Sequence, residues 1–397
     1  MEAPTFKIGD IFRTYGPAYR AQRDLHVDQL KVMSAIERCR TAELGWHTDV
    51  CENCGYVEKH YNSCCNRHCP QCQGLAREKW VGARMQELLP VVYFHLVFTI
   101  PDLLNRLALV NKQVIYDILF RAAAETLKEL GRDPRHLGAE IGFVAILHTW
   151  GQNLLDHPHL HCIVPGGGLS EDLQEWIFPR KSKSGQPFLI HVNVLSDLFK
   201  KKFLSYLKKA YENDELKFVG EIHSLASPPQ FQALIDQLYS VKWVTYCKRP
   251  FGGPKQVIEY LGRYTHRVAI SNYRIVNVEA GKVTFKWRDY RDNNQEKRMT
   301  LDASEFIRRF LLHVLPPGYC KIRYYGIFST RNKSQNIQRC RELLCINQHQ
   351  EPDYFEVSSW QELFMALTGI NERVCPACGK SQLVRIEAVY PGRHTPP

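Results

Sequence analysis

The sequence has 397 residues, of which 44% are hydrophobic and 23% charged, a composition that excludes a largely disordered chain. The 52 lysines and arginines exceed the 41 acidic residues and give a formal net charge of +11, which favours a polyanionic partner such as DNA. No apolar run reaches the roughly 20 residues of a membrane span, and the N-terminus does not resemble a signal peptide. We therefore expect a cytoplasmic protein with no membrane partner, whose fourteen cysteines bind metal or stay reduced.

The N-terminal 90 residues are predicted to form a helical and metal-binding module. Apolar residues at near-helical spacing, such as Leu30, Met33 and Ile36, predict a helix over 28–40. Residues 51–72 hold six cysteines in a polar setting, and a segment with so little to bury is expected to fold around metal. A second helix is predicted over 76–89.

The following segment alternates irregularly between strands and helices. Strands are predicted at 91–100, 141–149, 160–164, 243–247, 273–278, 283–287 and 321–328, and helices at 103–130, 197–213, 229–241, 257–267 and 304–314. Two of the strands, 141–149 and 160–164, flank a polar turn and predict a β-hairpin. The mixture favours an α+β fold with domains at 1–90, 91–335 and 336–397, the last a helical tail.

The N-terminal cysteines are spaced as the ligands of a structural zinc site. Two Cys-x2-Cys pairs lie within 22 residues, and each such turn points two thiolates at one metal. The predicted zinc ligands are Cys51, Cys54, Cys69 and Cys72. His60, Cys64 and His68 are further candidates, which could replace one of the four or build a second site.

A second constellation is the segment Gln152-Asn-Leu-Leu-Asp-His-Pro-His159-Leu-His161. Alternate residues of a strand share a face, so His159 and His161 could hold one divalent ion. His157 shares that face, but it would lie about 13 Å from His161 along the strand. Gln152, on the other arm of the predicted hairpin, is the predicted third ligand, and His148 is its rival. Such a histidine pair is often only a packed core feature.

A third constellation is Tyr260-Leu-Gly-Arg263-Tyr264-Thr-His-Arg267. On a helix, Tyr260 and Tyr264 would share one face, flanked by Arg263 and Arg267. Two such phenols usually pack in a core, and a phenol titrates near 10. A metal that polarises a phosphodiester, together with nearby cations, would let a tyrosine attack it.

The C-terminal tail carries one more Cys-x2-Cys pair, Cys375 and Cys378. Its spacing indicates another zinc knuckle. Cys340, Cys345 and His349 are the candidate partners.

Together these residues resemble the HUH endonucleases. The His159-Leu-His161 segment is similar to the family's histidine–hydrophobe–histidine motif, and the Tyr260/Tyr264 pair to its two-tyrosine subgroup. The N-terminal Asn62-Ser-Cys-Cys-Asn-Arg-His-Cys-Pro-Gln-Cys72 segment looks like the zinc module of rolling-circle transposases of the insertion-sequence-91 class. The resemblance covers roughly residues 20–345 and implies an antiparallel HUH-type sheet with flanking helices.

The resemblance also implies a mechanism. His159 and His161 would hold Mg²⁺ or Mn²⁺ at the scissile phosphate, and Tyr260 or Tyr264 would become joined to the 5′ phosphate. Arg263 and Arg267 would contact DNA phosphates. The zinc module would recognise element ends, as single strands or hairpins, and the host would supply replication or helicase functions in the nucleoid.

Two alternatives remain at this point. A plasmid rolling-circle replication initiator would use the same chemistry for another purpose. An inactive zinc-dependent DNA-binding regulator would bind DNA without cleaving it.

Overall fold

The structure is a computed structural model that describes residues 4–181, 185–248, 256, 262, 269–289, 292–344, 365, 371, 374–380 and 382–390. The longer helices are Ile8–Ala21 (α1), Val27–Arg38 (α2), Gly74–Met85 (α3), Asn105–Val110 (α4), Lys112–Arg132 (α5), Val192–Glu212 (α6), Pro228–Ser240 (α7), Ala303–Leu312 (α8) and Lys333–Leu343 (α9). Across these described ranges, we find no helix with the length and apolar character of a membrane span.

In the part of the chain that the structure describes, the strands form one central sheet, two three-stranded sheets and two small ribbons. Their bounds are Trp46–Cys51 (β1), Val57–Tyr61 (β2), Tyr93–Thr99 (β3), Phe143–Trp150 (β4), Asp156–Pro165 (β5), Gly168–Leu169 (β6), Trp176–Ile177 (β7), Arg180–Lys181 (β8), Pro187–Phe188 (β9), Thr245–Lys248 (β10), Ile275–Glu279 (β11), Lys282–Asp289 (β12), Gln295–Asp302 (β13), Ile322–Tyr325 (β14) and Leu383–Val389 (β15).

The central sheet has the order β10-β3-β5-β4-β14, with every neighbouring pair antiparallel. β4 and β5 form the hairpin that the sequence predicted, and β5 lies in the middle of the sheet. The chain is thus an α+β protein with a central antiparallel sheet and flanking helices.

The two faces of this sheet are covered differently. Leu160 and Cys162 of β5 are fully buried in the largest core, which they share with α5, α6 and α7. Ile146 of β4 and Ile163 of β5 lie on the opposite face, where they pack with residues of α3 and α9. Because side chains alternate along a strand, the histidines of β5 lie on this second face.

A second core joins the N-terminal helices to the segment after residue 269. Ile8, Phe12 and Met33 of α1 and α2 are buried against Phe285 of β12 and Phe306 of α8. The N-terminal helices therefore do not form a module of their own.

The C-terminal tail differs from the predicted helical tail. Helix α9 covers Lys333–Leu343, but Leu383–Val389 is a strand that pairs antiparallel with β1, giving a β15-β1-β2 sheet. Backbone hydrogen bonds to β1 stabilise this extended conformation, and β-branched Val384, Ile386 and Val389 favour it. Strand β15 thus belongs to the cysteine-rich region.

Candidate active site and metal centres

Three histidines come together on adjacent strands of the central sheet. His159 and His161 are two residues apart on β5, and His148 of β4 is directly opposite His159 in the strand register. One ring nitrogen from each of the three lies within 4.8 Å of the other two. His148 and His161 are buried, whereas His159 is half-buried, so the group can be approached from the His159 side.

The strand register gives His148, and not the predicted Gln152, the position beside His159. Gln152 lies in the turn between β4 and β5, beyond the last strand pair, Trp150 with Asp156. Its backbone carbonyl accepts a hydrogen bond from Arg274 Nη2 at 2.6 Å. The prediction placed Gln152 on an arm of the hairpin, whereas in the structure β4 ends at Trp150 and Gln152 belongs to the turn.

The same turn is fixed by several long-range hydrogen bonds. The backbone carbonyls of Asn153 and Leu154 accept from Arg309 Nη1 at 3.0 Å and from His313 Nε2 at 3.1 Å. Leu154 is buried with φ of 63°, a left-handed conformation that is rare for leucine. These contacts offset the strain and define where the β4–β5 hairpin ends.

Neighbouring groups select the nitrogen that each of two histidines can offer a metal. His159 Nδ1 donates to the His157 carbonyl at 2.6 Å, so its lone pair is on Nε2. His161 Nδ1 lies 2.7 Å from His95 Nε2, with the two rings stacked at 5.0 Å. When His161 offers Nε2 to a metal, its Nδ1–H donates to His95, and such contacts orient metal-binding imidazoles in proteins.

Burial keeps these imidazoles in the neutral form that binds metals. Burial lowers the pKa of His159 to about 3, with a further contribution from His157. The pKa of His161 is well below its usual value, first through burial and then through His148 and His159. At neutral pH both rings therefore carry the lone pair that metal coordination requires.

The predicted tyrosine nucleophiles, Tyr260 and Tyr264, lie outside the described residues, as do Arg263 and Arg267. Gly262, between the two tyrosines in sequence, is among the described residues and is helical and buried. A β-carbon added at Gly262 would lie 2.2 Å from Val81 Cγ2. Since Val81 packs with Ile146 and Ile163, Gly262 lies on the histidine-bearing face of the sheet.

The first cysteine cluster consists of Cys39, Cys64, Cys69 and Cys72, whose sulfurs all lie within 4.8 Å of one another. Cys64 Sγ and Cys72 Sγ are 3.7 Å apart. Zn–S bonds of about 2.3 Å in a tetrahedral site give sulfur separations of about 3.8 Å, so the spacing fits zinc. It is far too long for a disulfide, whose sulfurs are about 2.05 Å apart.

The second cysteine cluster consists of Cys51, Cys54, Cys375 and Cys378, again within 4.8 Å. The Cys51–Cys378 and Cys54–Cys375 sulfur separations are both 3.7 Å. This cluster joins the end of β1 to the knuckle before β15, more than 300 residues away. The knuckle partners are therefore Cys51 and Cys54, whereas Cys340 is buried beside α3 and Cys345 and His349 lie outside the described residues.

The predicted zinc set of Cys51, Cys54, Cys69 and Cys72 is thus divided between the two clusters. The physical reason is that each Cys-x2-Cys turn finds its partners elsewhere in the fold. Cys39 joins one turn from the end of α2, and the C-terminal knuckle joins the other.

Two histidines named as further zinc candidates lie outside both cysteine clusters. His68 Nε2 accepts from the Leu315 amide at 3.1 Å, and its Nδ1 is 3.2 Å from Asn66 Oδ1. Both ring nitrogens thus serve protein contacts. His60 lies beside His47 and Asp49 on the β1–β2 hairpin.

Comparisons with known proteins identify the family. Residues 11–100 match the model of a transposase zinc-binding domain, and residues 142–336 that of a family described as "Putative transposase". A "Putative transposase y4qJ" of Sinorhizobium fredii is 49% identical over 98% of this chain and 97% of its own length. The chain belongs to the insertion-sequence-91 family of rolling-circle transposases. The transposase for insertion sequence element IS801 of Pseudomonas savastanoi pv. phaseolicola is 27% identical over 81% of this transposase and 75% of its own length.

A solved structure, a conjugative relaxase TrwC in complex with oriT DNA, matches 43% of this transposase and 70% of its own chain. The identity is 15% and the TM-score 0.20. A TM-score this low does not establish a shared fold.

The two family models cover different groups of the candidate site residues. The zinc-binding model spans the first cysteine cluster, together with Cys51 and Cys54, but ends long before Cys375 and Cys378. The other model spans the three histidines and the tyrosine pair. Two residues of these sites were not predicted: Cys39 has no second cysteine at ligand spacing, and His95 lies singly in an apolar strand. His148 was predicted only as the alternative to Gln152.

Proposed function

We propose that this transposase cleaves and rejoins single-stranded DNA through a covalent tyrosine intermediate, with a divalent ion held by His148, His159 and His161. The observation that carries the proposal is the convergence of these three histidines on one sheet face. The contact of Gly262 with Val81 on the same face supports a tyrosine nucleophile there. A regulator that only binds DNA would need no such cluster.

The donor set favours one of the two predicted ions. Three neutral imidazoles fit Mn²⁺ better than Mg²⁺, because Mg²⁺ prefers oxygen ligands and retains water. Such an ion acts as a Lewis acid on a phosphoryl oxygen. His95 would keep His161 in the metal-binding tautomer, and the His157 carbonyl would do so for His159.

Either Tyr260 or Tyr264 would supply the nucleophile. Its phenol oxygen forms an O–P bond to the 5′ phosphate while the bond from phosphorus to the 3′ oxygen breaks. Overall, the proton lost by the phenol is gained by that 3′ oxygen, which leaves as a 3′ hydroxyl. Attack by a 3′ hydroxyl on this phosphotyrosine reverses the step, so rejoining needs no external energy source. Arg263 and Arg267 would neutralise the phosphates of the bound strand.

The cysteine clusters would each bind one structural Zn²⁺. Zinc bound to the second cluster ties β1 to the C-terminal knuckle and so holds β15 in the sheet. Arg67, next to the first cluster, donates to the backbone carbonyls of Tyr319 and Pro316 at 2.5 and 2.7 Å. These hydrogen bonds connect the first cluster to the segment between α8 and β14.

We propose that the zinc-binding region recognises the element's ends and presents them, as single strands or hairpins, to the histidine face.

The test is cleavage of labelled single-stranded DNA taken from the regions flanking the gene, in the presence of Mn²⁺. His148→Ala and His159→Ala should cleave about 100-fold more slowly or worse, since the metal supplies several kcal/mol. The control His223→Ala, an exposed residue, should cleave normally, and DNA binding should persist in all three. If His148→Ala cleaved normally and Gln152→Ala lost cleavage, the third metal ligand would be Gln152 and not His148.

A further inference from the structure

The β1–β2 hairpin carries a separate group of metal-binding side chains. His47 and Asp49 alternate along β1 and therefore share a face. In the strand register His60 of β2 is directly opposite His47, and Glu58 is directly opposite Asp49. Two imidazoles and two carboxylates thus form a two-by-two array on one face of the hairpin.

The ligand atoms of this array are close enough to share one ion. His47 Nε2 and His60 Nε2 lie 3.7 and 3.9 Å from Asp49 Oδ2. One ligand atom from each of these three residues lies within 4.8 Å of the other two. Ligands bound at about 2.0–2.2 Å to a tetrahedral ion are separated by about 3.4 Å. Small side-chain rotations would therefore close the array around a metal.

A neighbouring cation orients the carboxylate. Arg385 Nε of β15 donates to Asp49 Oδ1 at 3.1 Å, which leaves Oδ2 as the oxygen that faces the imidazoles. Contacts of this kind commonly fix the rotamer of a metal-binding side chain. Glu58 Oε2, 3.6 Å from His60 Nε2, is a candidate fourth donor.

We propose that His47, Asp49 and His60 bind a third structural transition-metal ion, of the Zn²⁺ class, with Glu58 or water as the fourth ligand. A mixed nitrogen and oxygen set suits such an ion. The three side chains are 15–36% exposed, so an ion can enter from solvent. The hairpin would then be held by metal at both ends, because the second cysteine cluster lies at its turn.

The experiment compares metal content in the full-length protein saturated with Co²⁺ and then dialysed. The double variant His47→Ala/His60→Ala should contain one equivalent fewer per chain than the wild type by mass spectrometry of the metal. The near-ultraviolet sulfur-to-cobalt absorption of the two cysteine clusters should remain, because the lost site has no sulfur ligand. The control His223→Ala should match the wild type in both measurements.

Equal metal content in the double variant and the wild type would overturn the proposal and leave the array as a set of ion pairs. If the double variant also lost sulfur-to-cobalt absorption, Asp49→Asn would decide, since it keeps the side-chain shape and removes the charged ligand. Loss of one equivalent with full sulfur absorption in Asp49→Asn would support the site. Full metal content in that variant would refute it.

Discussion

Replacing Asp156 with asparagine tests the electrostatics of the strand that carries the histidines. Asp156 is the first residue of β5 and is 9% exposed. Both its carboxylate oxygens are buried and accept no hydrogen bond from the described part of the chain. Burial raises the pKa of Asp156 from 3.8 to about 7, although the positive charge of Lys112 acts to lower it.

The expected change in the free energy of unfolding follows from the linkage between protonation of Asp156 and folding. Between pH 3.8 and about 7 the folded state holds a proton that the unfolded state has released, so stability falls as pH rises through this window and then levels off. A pKa rise from 3.8 to about 7 corresponds to about 4 kcal/mol, at about 1.4 kcal/mol per pH unit. About half of this, ~2 kcal/mol, is lost between pH 5.5 and 8.

The assay is urea unfolding of wild type and Asp156→Asn at several pH values from 5.5 to 8. This range avoids the acidic pH at which cysteine thiols release zinc. Asparagine cannot ionise, so the stability of the variant relative to the wild type should grow by ~2 kcal/mol across the range and level off above pH 7. A difference that stays constant with pH would show that Asp156 ionises normally in the folded protein and would refute the reasoning.

Three further predictions concern the metal sites and the tyrosine segment. His95→Ala should weaken Mn²⁺ binding about 10- to 100-fold in titration calorimetry, because His161 loses the group that holds its tautomer; unchanged affinity would exclude this role. Cys375→Ser should lower the zinc content by one equivalent in metal analysis, whereas the exposed Cys320→Ser, outside both clusters, should leave it unchanged. Gly262→Ala should slow DNA cleavage because its methyl group meets Val81 Cγ2, and added Val81→Ala should restore the rate; a double variant as slow as Gly262→Ala would rule out this contact as the cause.

Local patterns were sufficient to predict the elements that position His159 and His161, the proposed metal ligands. The β4–β5 hairpin follows from two apolar runs around a polar turn, and the alternation of His159 and His161 with buried Leu160 and Cys162 fixes their common face. The third histidine depends on strand register, which a bulge after His148 alters. A single sequence gives no measure of such a bulge, so Gln152 and His148 could not be distinguished.

The two cysteine clusters show that long-range contacts could not be predicted from local spacing. Cys-x2-Cys spacing marks each pair of thiols, but it carries no information on which pairs share an ion. Cys51 and Cys54 meet a knuckle more than 300 residues away, and Cys39 has no neighbour at ligand spacing. Strand β13 was not predicted for a related reason, since its largely polar residues, only partly buried on alternate positions, resemble a loop.

The most direct test of the proposed chemistry is covalent capture of DNA. The protein would be incubated with single-stranded DNA from the regions flanking its gene, with Mn²⁺ or with EDTA, and separated under denaturing conditions. We expect a Mn²⁺-dependent adduct that peptide mass spectrometry maps to Tyr260 or Tyr264 and that Tyr→Phe at that position abolishes. Tight DNA binding with no adduct would contradict the nickase and favour a protein that only binds DNA, and an adduct on another residue would refute the assignment of the nucleophile.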